Sequence, residues 1–355
     1  MHKTKFNFYK INNSLLFLFL ISLLINSCKN EIDVAAPWKE TIIVYGLLDP
    51  ASPENYIRIQ KAYLDPQGNA YKFTGVNDSI YSYKLDVKLY VKRNGNIIDT
   101  IFPEYINGDL EGIKKDTGLF SNSPNYLYKI NQPIKASALS PNPEDYTYNI
   151  EVKDPKTGYI CTSSTITTGY LEPLSPVTNN ITPITINSKP GTYLTIGYRE
   201  GRNVKSYDMK IRFWYREYNK NSPSDSQTQF VDWILFKNRL TSSLRGYELK
   251  TNSIEGFIFY ELLQYTIAPN QDINRKALYC DVEYYGVGED LYTYIQVNIP
   301  SIGIIQKKPE YTNITNGLGL FSSRYITAFR KIPISAEMKS QLQNSNYTKT
   351  LNFKP

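Results

Sequence analysis

The sequence predicts a mainly β protein, with an N-terminal antiparallel β-sandwich over 40–170 and a β-rich α+β domain over 177–350. Three observations carry this prediction. Apolar residues recur at every second position in several runs, which is the period of a half-buried strand. Clusters of Asn, Asp, Gly and Pro separate those runs. Tyrosine is abundant, at 31 of 355 residues, and its high strand propensity and polar tip suit half-buried sheets.

The elements follow in chain order. Strands are expected at 41–48 and 56–64. Leu85, Val87, Leu89 and Val91 then alternate with lysines, Asp86 and Tyr90, and Asn94-Gly95 supplies a hairpin turn. Tyr146, Tyr148, Ile150 and Val152 alternate with Thr147, Asn149, Glu151 and Lys153. The turn at 154–158 leads into a strand at 159–166, which completes a sandwich of the immunoglobulin or fibronectin type. Pro173 and Pro176 interrupt the pattern and mark a domain boundary near 171–176.

Beyond that boundary, strands are expected at 193–198 and 207–218. In the second of these, Tyr207, Met209, Ile211, Phe213 and Tyr215 face inward, while Arg212, Trp214 and Arg216 face outward. A polar loop at 219–228 leads into a strand at 230–236. Helical signals are confined to this half: Ser253 as cap of a helix over 254–267, with Glu255 in its first turn, and Ser335 as cap of a short helix through Leu342.

The N-terminus reads as a secretory leader. Lys3, Lys5 and Lys10 precede an apolar run at 15–25, which spans only about 16 Å as a helix, against a hydrocarbon core of about 30 Å. Such a segment is a signal rather than a membrane span. Its end, Ile25-Asn26-Ser27-Cys28, resembles the lipobox of bacterial lipoproteins. That resemblance implies cleavage after residue 27, acyl chains such as palmitate on Cys28, and a tether over 28–39. Several chains hold a protein on a bilayer stably, at about 0.8 kcal/mol per buried methylene.

Loss of the leader removes three lysines and lowers the formal charge of +7 by three. So mild a balance, with no basic cluster, argues against nucleic acid as a partner. The single histidine, His2, leaves with the leader. A chain without imidazole excludes Ser-His-Asp and Cys-His nucleophiles, H-E-x-x-H metalloproteases and imidazole zinc sites. No cofactor is expected. Glycoside hydrolysis, which uses two carboxylates, stays open.

Cys161 and Cys280 remain after the anchor. Outside the cytoplasm they can pair as a disulfide, or they can stand apart as small buried apolar residues. Cys280 shares a face with Leu278 and Val282 and is expected to be buried. The glycine pairs Gly286/Gly288 and Gly317/Gly319 lack the strand–loop–helix setting of a phosphate loop, so turns or close backbone approach explain them. Trp214, between Arg212 and Arg216, is either a stacking platform or covered by a neighbour.

Three stretches together resemble a known family: Thr41-Ile42-Ile43-Val44-Tyr45-Gly46-Leu47-Leu48-Asp49; Tyr56-Ile57-Arg58-Ile59-Gln60-Lys61-Ala62-Tyr63-Leu64; and Tyr311-Thr312-Asn313-Ile314 with Asn316-Gly317-Leu318-Gly319-Leu320-Phe321-Ser322-Ser323-Arg324. The set is similar to Bacteroidota outer-membrane lipoproteins classed as a domain of unknown function. The resemblance implies an outer-membrane address and supplies no site residues. Asp78-Ser79-Ile80 resembles the O-glycosylation acceptor of that phylum, with Ser79 as the acceptor. Glu31 and Asp33 resemble, in interrupted form, its surface-export signal, so the periplasmic and surface faces both stay open.

The expectation is a lipid-anchored, non-enzymatic binding or accessory module, partnered by the membrane and by an envelope protein such as a TonB-dependent transporter. The alternatives are a glycan-active hydrolase with a carboxylate pair and a structural or adhesive surface protein.

Overall fold

The computed structural model describes residues 41–62, 81–115, 123–139, 142–299 and 310–355. The leader, Cys28, the tether and Ser79 lie outside them. The chain is mainly β, as the alternation predicts. Among the described residues no helix is long and apolar enough to cross a membrane.

The first half supplies β1 (Thr41–Leu48), β2 (Asn55–Ala62), β3 (Asp86–Arg93), β4 (Asn96–Ile101), β5 (Glu104–Asn107), β6 (Tyr126–Ile130), β7 (Tyr146–Lys153) and β8 (Ile160–Ile166). β3 and β4 form the hairpin that Asn94-Gly95 predicts, with both turn residues at positive φ. They join β7 and β8 in a four-stranded sheet of order β4-β3-β7-β8. This sheet packs against β1, β2 and β6 through one core, which includes Val44, Ile57, Leu89, Tyr128 and Ile150.

The second half supplies β9 (Glu172–Ser175), β10 (Tyr193–Arg199), β11 (Ser206–Asn219), β12 (Ser226–Leu240), β13 (Leu249–Glu255), β14 (Ile273–Val287), β15 (Leu318–Pro333) and β16 (Phe353–Lys354). Three helices accompany them: α1 (Phe257–Thr266), α2 (Glu289–Asn298) and α3 (Ala336–Asn344). The inward residues of β11 are all buried, as the alternation predicts. They share a second core with Ile196 of β10, Phe259 and Leu263 of α1, and Met338 of α3.

One sheet joins the two cores. Its order is β12-β11-β14-β15-β1-β2-β6-β5, with β16 beside β14. The joint is the parallel pair β1·β15, in register from Ile43↔Leu318 to Leu48↔Ser323. One compact unit therefore holds all the described residues, and Ile314 and Phe321, far beyond the proline-marked boundary, belong to the first core. The three stretches that carry the family resemblance converge at this joint, since β2 pairs with β1 and the Asn313 side chain bonds both backbone groups of Phe321. Gly319 is required there. Its φ is +112°, and a Cβ would collide with the Val44 carbonyl oxygen.

Two departures from expectation have a direct physical cause. The helix foreseen from Ser253 starts at Phe257, because 249–255 pairs along its whole length with β10, Ser253 opposite Thr195. Tertiary pairing overrides the local cap signal there. β15 escapes the alternation because its first half is buried on both faces, so its sequence shows no period of two. The Ser335 cap is present, with its Oγ accepting from the Met338 amide at 3.1 Å.

Candidate functional site

β8 is the edge strand of the four-stranded sheet, and its side chains alternate strictly. Cys161, Ser163 and Thr165 are buried, while Ile160, Thr162, Ser164 and Ile166 are exposed. The main-chain phase follows from two bonds. The Thr167 amide donates to the Tyr146 carbonyl of the β7 side at 2.8 Å, whereas Thr162 exchanges bonds of 3.1 and 2.8 Å with Thr315 on the opposite side. Antiparallel pairing alternates, so the backbone groups of 162, 164 and 166 all point away from β7.

Among the described residues only one rung of that outer ladder is made. The bridge Thr162↔Thr315 is antiparallel, and continued in register it would set Asn313 opposite Ser164 and Tyr311 opposite Ile166. The segment peels away instead. The Asn313 carbonyl accepts from Ser163 Oγ at 2.7 Å, and its side chain is committed to Phe321. The Tyr311 hydroxyl donates to Asp290 Oδ1 at 2.6 Å, at the start of α2. Burial, and then this carboxylate, push the Tyr311 hydroxyl above its ordinary pKa.

A cleft of about 700 Å³ opens where the segment departs, within the ~300–1,000 Å³ typical of ligand sites. One wall is the free edge of β8 from Ser163 to Ile166. The floor is the outer sheet face, with Tyr90 of β3 and Asn149 and Glu151 of β7; Asp290, Asn313 and Thr315 close the far side. Cross-strand register puts Tyr90, Asn149 and Ser164 in one row, and Lys88, Glu151 and Thr162 in the next. Asn149 Oδ1 is buried with no hydrogen-bond partner. Glu151 meets Lys88 at 3.6 Å. Among the described residues no lysine or arginine lines the cleft, so Glu151 and Asp290 give that lining a negative character.

A smaller cleft of about 320 Å³ lies over the β1·β15 joint, between Tyr45, Tyr56 and Arg324. The Asp49 carboxylate beneath it pairs with Arg324 Nε at 3.4 Å. Burial raises the pKa of Asp49 above the ordinary carboxyl value, and the Ala51 amide and Arg324 only partly oppose it.

The residues singled out in the sequence lie elsewhere. Trp214 is partly buried in a charged lattice on the outer face of β11: its Nε1 donates to Asp281 Oδ2 at 2.9 Å, and Phe230 packs at 5.1 Å. Arg212 is bidentate to Asp232 at 2.6 and 2.8 Å and lies 4.0 Å over the Phe230 ring. These ties make Trp214 part of the sheet's covering and leave no free ring platform.

Cys161 and Cys280 are both free and buried, each in a different core, so no disulfide joins them. Burial pushes the Cys161 thiol up to about 12 and raises Cys280 as well. Among the described residues no group of three His, Cys, Asp or Glu side chains is placed to hold a metal ion.

The alternation of β7 already marks Asn149 and Glu151 as outward-facing. Nothing in the sequence joins them to Asp290 and Asn313, which the fold brings from more than a hundred residues away. Comparison of the chain with protein-family models and with curated proteins returns no match.

Proposed function

We propose that the protein is an outer-membrane lipoprotein, held by acyl chains on Cys28, that acts as a non-enzymatic binding or accessory module of the cell envelope. The single observation behind the binding role is the cleft beside β8, which combines an open strand edge, a negative lining and an unpartnered buried amide oxygen. The lipobox resemblance supports the anchor. A transporter of the TonB-dependent class is the proposed membrane partner.

Two measurements test this reading. Fatty-acid labelling of wild type is expected to be strong and that of Cys28→Ala to be absent; equal incorporation means that the anchor is elsewhere. Affinity purification from membranes is expected to recover a stoichiometric envelope partner, and filling the cleft by Asn149→Trp to reduce that recovery at least about tenfold. A chain that always purifies alone overturns the accessory role.

A second reading rests on Glu151 and Asp290, two carboxylates in one cleft. Glycoside hydrolysis uses such a pair at about 5–5.5 Å for retention or about 6.5–9.5 Å for inversion. Turnover of an oligosaccharide by wild type and its loss in Glu151→Gln would establish hydrolysis; the binding reading expects no turnover by either.

A further inference from the structure

We infer that the cleft receives an extended peptide segment of a partner protein, which adds to the sheet as a strand beside β8 and carries lysine or arginine. This inference rests on the binding reading above and deepens it by naming the chemistry of the occupant.

The main chain of β8 is the first argument. Thr315 supplies one rung of a fifth strand and 311–313 then leave the ladder, so the amide and carbonyl of Ser164 face the cleft with no partner among the described residues. An unmade rung beside a made one is a template for strand addition, where main-chain bonds give affinity and side-chain pockets give selectivity. The departing segment cannot refill the gap by a small shift. Asn313 is tied to Ser163 and Phe321, and Tyr311 is tied to Asp290.

Side chains supply the second argument. A strand beside β8 would place alternate residues over the floor, near Asn149 and Glu151, where the free Asn149 Oδ1 accepts a donor. Asp290 stands at the rim. Lys88 already meets Glu151 at 3.6 Å but does not line the cleft. The lining therefore favours a cationic guest over an acidic one. Among the described residues Tyr90 is the single aromatic ring that lines the cleft, too little for the stacked faces on which sugars are usually held.

The test measures binding of a fluorescent pool of acetylated, amidated octapeptides to full-length protein in detergent. The pool has Thr or Val at alternate positions and Lys, Arg, Ser or Tyr between them. The tightest member is then remade in two forms, with N-methyl groups on one set of alternate amides or on the other. One form is expected to bind like the parent. The other, methylated on the amides that face β8, is expected to lose at least about tenfold in affinity. Replacing its Lys or Arg by Glu is expected to cost a similar factor.

Ser164→Pro complements the peptide series. Its amide points away from β7, so proline there removes the open donor without breaking a β7 bond. Affinity is expected to fall at least about tenfold, while Cys161 and Cys280 stay unreactive to thiol reagents, which shows that the variant is folded. The methylated peptides decide the matter if that variant fails to fold.

Equal binding of both methylated forms, or unchanged binding by folded Ser164→Pro, overturns strand addition. If no member of the pool binds, but a mixture of linear hexasaccharides does and Asn149→Trp abolishes it, the inference falls and the binding reading stands. If neither probe binds and Asn149→Trp leaves the membrane partner unchanged, both fall.

Discussion

At the scale of single residues, Asp145 and Gly319 carry the sharpest expectations. Asp145 receives two bonds of 2.7 Å from Arg202 and one of 2.8 Å from Asn203, and so links the segment before β7 to the loop before β11. The Arg202 guanidinium first, then Asn203, hold its carboxyl below the ordinary value of 3.8 despite partial burial. A depressed carboxyl contributes stability that is fully present above 3.8 and is lost as pH falls through its lower folded value. Thermal melts from pH 3 to 7 are therefore expected to show Asp145→Asn less stable than wild type at pH 6, with the gap closing below pH 4. A constant gap would mean that the pair has no titrating role. Asp49 has the opposite sign: its raised carboxyl costs stability as pH rises from 3.8 through its folded value. Gly319→Ala must place a Cβ against the Val44 carbonyl at a φ that alanine resists. A loss of roughly 2–4 kcal/mol in urea unfolding is expected, and a change below about 0.5 kcal/mol would mean that β1 and β15 do not approach so closely.

At the scale of elements, legibility in the sequence follows burial. β3, β7 and β11 each have one buried and one more exposed face, so their period of two is written plainly in residues such as Val87, Ile150 and Phe213. β15 is buried on both faces across the joint and carries no such mark. α2 was not foreseen: its only local mark is Glu289 and Asp290 in its first turn, a weak dipole signal without an N-cap side chain. The candidate site was half visible. Asn149 and Glu151 could be assigned to the outer face, but the open rung at Ser164 depends on where a distant segment leaves the ladder. α3 is the element whose local signal sufficed. Ser335→Ala is expected to cost about 1 kcal/mol through loss of the Met338 amide bond, whereas an unchanged urea midpoint would show that the cap is idle.

At the scale of the whole molecule, the β1·β15 pair decides how the halves behave. Phe321 and Ile314, from the far end of the chain, belong to the first core. Calorimetry is expected to give one cooperative transition for the full chain; two resolved transitions would show that the cores melt independently. The same pair sets a clock on synthesis. Ser323 Oγ donates to the Leu48 carbonyl across 275 positions of sequence. At about 5–20 residues per second, β1 emerges roughly 15–55 s before the strand that flanks it. For that interval one edge of β1 stands bare, while the sheets β4-β3-β7-β8 and β13-β10-β9 can assemble from residues already made. The strand that appears first is thus among the last to be finished, and its exposed edge must be kept from pairing with neighbouring chains until residues 318–355 arrive.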